Sequence, residues 1–195
     1  MARPREFDPE TALTAAMHLF WDHGYEDASL AGLLDVMKIT KGSFYKAFAD
    51  KKSIYLKTLD YYDDKVVGRT VRNLMDTDQG NGADRILALF EAVATSARTD
   101  GDRSGCFLCN ALIDRAAHDA EIEERLQAMV FRLENGFRAA LEDLPHRPDA
   151  EWVRATARGV LSSYFGLRVL GKAGLSKTMA DDCVAQVWRL LDPAA

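Results

Sequence analysis

The sequence predicts an all-α fold of about nine helices, and three observations carry that expectation. Apolar residues recur at three- and four-residue intervals over several long segments. No run alternates with period two, as a half-buried strand would. The periodic segments are separated by short breaks rich in Gly, Pro and Asp: DTDQGNG (76–82), TDGDRSG (99–105), LPHRPD (144–149) and GKAGLS (171–176).

The helices follow in order. Asp8, Pro9 and apolar residues at 13, 16, 17 and 20 predict a first helix stopping at Gly24, with the aspartate as N-cap and proline in the first helical position. Ser29 precedes LAGLLDVM, Thr40 precedes KGSFYKAF, and Asp50 precedes a long stretch from Lys51 to about Met75. Each of these side chains can accept from first-turn amides, worth about 1 kcal/mol. Later helices are marked by Ile86, Leu89, Phe90 and Val93; by Ile122, Leu126, Met129, Val130 and Leu133; by Trp152 through Leu167; and by Val184, Val187, Trp188 and Leu191.

A chain of 195 residues, 48% hydrophobic, can hide roughly 70% of its unfolded surface and build a proper core. The polar start and the interruption of the longest apolar stretch, VLSSYFGLRVLG, by Arg168 predict no signal peptide, no membrane span and a cytoplasmic protein. Three cysteines do not make a disulfide framework, which also favours a reducing compartment.

The net charge is -5, yet KITKGSFYKAFADKKSIYLK (38–57) sets six lysines against the single Asp50. Residues 1–57 balance eight cations with eight anions, so the remainder holds the whole negative excess. A basic, aromatic-studded edge on an acidic body points to a polyanion surface rather than a protein that coats nucleic acid indiscriminately. Two short helices joined by a tight turn, the second opening on small polar and basic residues, are what a helix-turn-helix reader needs. Lys41, Ser43 and Lys46 can face outward while Phe44 and Phe48 share the buried face. An ordinary α-hairpin with a solvated lysine face has the same periodicity.

SLAGLLDVMKITKGSFYKAFADKKSIY closely resembles the helix-turn-helix of the TetR/AcrR family of bacterial transcriptional regulators, through Ser29, Leu30, Leu33, Ile39, Thr40, Gly42, Phe44, Tyr45, Phe48, Lys51 and Ile54. The resemblance implies a DNA-binding domain over 1–55 and an effector-binding and dimerisation domain over 56–195. It also implies a sequence-specific regulator without cofactor, metal or enzymatic activity, an effector-released repressor that binds a palindromic double-stranded DNA operator as a homodimer. Ser29, Tyr45, Lys51 and Lys52 would contact phosphates; Thr40, Lys41, Gly42, Ser43 and Lys46 would lie on the reading helix. Arg3 and Arg5 would form an arm for the minor groove. The family usually has glycine where this chain has Lys38 and a small residue at Leu34. A left-handed residue other than glycine costs about 1 to 2 kcal/mol, so a reshaped turn is expected.

In the body, SGCFLCNALIDRA (104–116) resembles a segment of a subgroup in which some members sense electrophiles or oxidants through cysteine. Cys106 and Cys109 are therefore redox candidates, with Arg103 and Arg115 as possible thiolate stabilisers. Tyr62, Phe90, Cys106, Phe107, Asn110, Phe131 and Phe137 are the expected lining of a small-molecule effector chamber. A zinc site would need two further ligands from Cys183 and four scattered histidines, and none is expected. No nucleophile turn surrounds Ser162 and Ser163, and no phosphate-binding glycine loop occurs. The alternative to the regulator is a helical ligand-binding or scaffold protein whose DNA-binding domain has degenerated.

Overall fold

The computed structural model describes residues 8–99, 104–145, 147 and 149–192. Arg3, Arg5 and Arg103 lie outside them. The chain runs α1 (Pro9–Asp27), α2 (Leu30–Met37), α3 (Lys41–Ala47), α4 (Lys51–Tyr62), a π-helical turn (Asp63–Val67), α5 (Gly68–Met75), α6 (Gly82–Thr99), α7 (Phe107–Asp114), α8 (Ala120–Glu142), α9 (Ala150–Ala173) and α10 (Lys177–Leu191). The α4–π–α5 rod is continuous, so the described residues form nine helices and no strand, as the periodicity predicts. None of them is long and apolar enough to cross a membrane.

The N-caps are those the sequence marks. Asp8 accepts from Glu10 and Thr11, Ser29 from Gly32 at 3.0 Å, Thr40 from Ser43 at 3.1 Å and Asp50 from Ser53 at 2.7 Å. These bonds satisfy amides with no partner inside their own helix, and so fix where each short helix begins. Gly24 is where α1 leaves helical geometry, at φ 77° and ψ 175°, a conformation glycine alone adopts cheaply. The turn between α2 and α3 is not reshaped. Lys38 takes the left-handed conformation itself, φ 55° and ψ 40°, and its N–H closes α2 on the carbonyls of Leu34 and Asp35.

The first three helices pack around Phe20, Leu33, Met37 and Phe44, all buried, with α4 completing this small core through Ile54 and Tyr55. Phe48 packs against it 5.4 Å from the Phe44 ring. Beyond the π turn, α5 lies on α8, and α6, α8, α9 and α10 make the body around Phe90, Phe137 and Tyr164. The start of α6 approaches α8 so closely that a Cβ at Gly82 would fall 1.7 Å from the Ala140 carbonyl oxygen. Because that obstacle is backbone, Gly82→Ala is expected to destabilise the fold by about 2 kcal/mol or more, read by chemical denaturation with helix content as the signal.

Candidate nucleic-acid interface and the cavity behind it

Helix α3 presents Lys41, Gly42, Tyr45 and Lys46 to solvent, Tyr45 being 50% exposed, while Phe44 between them is completely buried. One buried aromatic thus anchors a short helix whose outer face is basic and hydrogen-bonding, the arrangement a major-groove reader requires. The Thr40 hydroxyl donates to the Ser43 hydroxyl at 3.0 Å as well as capping the helix, so these two polar groups are pre-arranged at its first turn. Ser29 sits exposed at the start of α2.

Lys51 and Lys52, expected on phosphates, are engaged elsewhere. The Lys51 ammonium donates to the Glu26 carbonyl at 3.1 Å and lies over the Tyr25 ring. Lys52 is bound by two carboxylates of the body, Asp119 at 2.8 Å and Glu121 at 3.1 Å.

Behind the reader, α7 is tied to the end of α1. The Trp21 indole donates to the Ser104 carbonyl at 3.0 Å, and the Asn110 amide donates to the carbonyls of Ser104 at 3.0 Å and Trp21 at 3.2 Å. Past the Gly24 bend, the Tyr25 N–H donates to Asp114 at 3.0 Å, and Arg115 pairs with Glu26 while covering the Tyr25 ring. Between these ties opens a cavity of about 320 Å³. Its walls include Trp21, Gly24 and Tyr55 from the reader side and Cys106, Phe107, Cys109, Asn110, Asp114, Arg168 and Lys172 from the body.

Of the expected chamber residues, Cys106, Phe107 and Asn110 line this cavity. Tyr62 stands just behind it, its hydroxyl 3.4 Å from the Cys106 sulfur. Phe90 and Phe137 belong instead to the body core against Tyr164, and Phe131 is 61% exposed on α8. Those three are removed from the chamber: two are consumed by packing and the third points its apolar surface to solvent. Sequence reasoning missed Trp21, Tyr55, Asp114, Arg168 and Lys172. Only Arg168, a lone cation inside an apolar stretch, left a signal.

Cys106 occupies the N-cap position of α7. The hydrogen bond from Cys109 lowers its pKa most; burial opposes this, and the Tyr62 hydroxyl, the Cys109 N–H and the Arg168 charge lower it further, to about 6. Cys109 moves the opposite way, its thiol kept protonated by that same bond and by burial. The pair therefore divides into a thiolate and its proton donor. Arg168, with two N–H groups on the Tyr164 hydroxyl at 3.1 and 3.3 Å, has no carboxylate partner among the described residues and faces these sulfurs as a fixed cation.

Residues 12–58 match the profile of the bacterial regulatory proteins of the tetR family. Over the whole molecule, the chain superposes with TM-score 0.79 and 28% identity on the TetR family transcriptional regulator CifR, a cysteine mutant complexed with 26-base-pair double-strand operator DNA, covering 97% of this chain and 98% of that one. Residues 12–58 are thus a tetR-family segment, carried on a chain that shares the fold of CifR from end to end. It is 29% identical over 126 residues to the transcriptional repressor ComR of Escherichia coli, matching 65% of this chain and 60% of ComR. It is 32% identical over 124 residues to the repressor BdcR of the same organism, matching 63% of this chain and 59% of BdcR. The chain thus spans less than two thirds of the length of these two curated relatives.

The thiolate assignment has a measurable sign. Because the Cys106 pKa is lowered, its alkylation rate is expected to stay near its maximum at pH 7 and to halve near pH 6, where an ordinary thiol of pKa about 8.5 is almost unreactive. Tyr62→Phe removes one donor to the sulfur and should move that midpoint upward, as followed by mass spectrometry of the alkylated peptide.

Proposed function

We propose that this chain is a cytoplasmic TetR-family transcriptional repressor that binds a palindromic operator as a homodimer and is released by a small molecule acting at the Cys106 cavity. The division near residue 55 separates reader from body. The observation that carries the reading is the α3 surface: exposed Lys41, Tyr45 and Lys46 rooted by a buried Phe44 at the end of a capped helix-turn-helix. Lys41, Gly42, Ser43 and Thr40 address base edges, where a good bidentate contact discriminates by about 1 to 3 kcal/mol. Ser29, Tyr45 and Lys46 serve the backbone or neighbouring bases and set the orientation. In a two-fold dimer the half-sites lie about 34 to 36 Å apart or a multiple of that.

Release follows from shared walls. A reagent that bonds to the Cys106 sulfur, or a ligand that fills the cavity, adds volume between Trp21 and Phe107, whose rings are 6.1 Å apart. The end of α1 must then shift relative to α7, and the reader shifts with it. The effector need only favour the displaced conformer, and a coupling of about 1 to 3 kcal/mol is typical. Cys109, three residues along the same helix, is placed to trap an oxidised Cys106 as a disulfide.

Selection of bound fragments from random DNA by the purified protein tests the reader. A palindrome is expected, with Lys41→Ala weakening binding about 5- to 150-fold, as loss of a base contact implies. Recovery of no enriched sequence by a folded, dimeric protein would favour the scaffold reading. N-ethylmaleimide tests the cavity: operator affinity should fall at least about tenfold, within the usual range of coupling, and Cys106→Ser should be insensitive. Equal inhibition of the serine variant would move the switch away from Cys106.

A further inference from the structure

We propose that Asp119, the N-cap of α8, and Glu121 in its first turn hold Lys52 as a reserve phosphate ligand, so that the body sets how much positive charge the reader presents to DNA. The inference rests on the DNA-binding reading and adds a regulation to it. Lys52 is the second residue of α4, directly behind the Asp50 cap and one helix beyond the reading surface. Its ammonium lies 2.8 Å from Asp119 and 3.1 Å from Glu121. Lys41 and Lys46, by contrast, make no ion pair among the described residues. An ammonium held between two carboxylates leaves a local excess of one negative charge, and a phosphate approaching it meets repulsion where the bare lysine would attract.

Neither carboxylate is an incidental neighbour. Asp119 also caps α8, accepting from the Glu121 and Ile122 amides, so its position follows the helix. Glu121 is shared with Arg125, which reaches back to Asp60 of α4. The Lys52 side chain remains 36% exposed. Ion pairs this open to water are weak enough to exchange one anionic partner for another. Movement of the segment 114–121 away from the reader would therefore free the lysine. That segment starts at Asp114, a wall residue of the Cys106 cavity, so the reserve charge and the effector site lie on one length of chain.

The test is the salt dependence of binding to the selected operator. Each phosphate neutralised contributes about 0.9 to the slope of log affinity against log salt. Asp119→Asn with Glu121→Gln keeps a capping side chain on α8 while releasing Lys52. This double variant is expected to bind more tightly at low salt and to steepen the slope by about 0.9 per chain. Adding Lys52→Gln should cancel both gains. Glu123→Gln with Glu124→Gln removes the same charge from the same helix without touching Lys52 and should leave the slope near that of the unaltered protein. Equal slopes for the released variant and the unaltered protein, or gains that survive Lys52→Gln, would overturn the reserve role alone. An unaltered protein that selects no sequence at any salt would overturn the DNA reading, and the reserve role with it.

Discussion

The contact on which most of this molecule depends is the edge-to-face packing of Trp21 and Phe107 on Tyr62, with Tyr55 against Phe107. Centroids of these pairs lie 5.3 to 6.0 Å apart, and the rings come from the first, fourth and seventh helices. Such pairs add about 0.5 to 1.5 kcal/mol each beyond the area they bury. Their larger effect is geometric. Because one ring cluster closes both the reader's core and the floor of the cavity, neither can be repacked without the other. The polar ties around it, from Trp21 and Asn110 to Ser104, orient the rings rather than adding much net stability.

Charge is organised around the same junction. Ion pairs cross the junction in both directions: Lys52 of the reader meets Asp119 and Glu121 of the acidic body, and Arg115 of the body meets Glu26 of the reader. What remains facing outward on α3 is a small, dense positive patch. A protein of net charge -5 can therefore meet a polyanion at one place and be repelled elsewhere, which favours a specific approach over coating.

Features decided within a few residues were legible in the sequence. Asp8, Ser29, Thr40 and Asp50 cap the helices they precede because capping is a bond across two or three positions. The pairing of buried Phe44 with half-buried Phe48 followed from spacing alone. Features decided across the chain were not. Periodicity cannot tell that Phe90 and Phe137 meet Tyr164 while Phe131 is left outside, since all three sit at helical intervals. Nor can it place Trp21 opposite Phe107, or find the carboxylates that take Lys52, some sixty-seven residues further on by numbering. Lys38 is the opposite lesson: sterics argued for a new turn, yet the bonds closing α2 and the start of α3 hold it left-handed regardless.

The π turn at residues 63–67 carries a consequence of its own. Before it, Tyr55, Leu59 and Tyr62 are buried in the core shared with α1; at its end Val67 is buried, and after it Leu74 is buried where α5 meets α8. Each residue added to or taken from a helix turns everything beyond it by about 100°. The turn therefore sets the phase between two cores threaded on one rod. Its exposed members, Asp64 and Lys65, are open to substitution in kind, whereas the number of residues there is fixed. A single deletion would leave the rod straight and every side chain chemically intact, yet present the wrong face of α5 to α8.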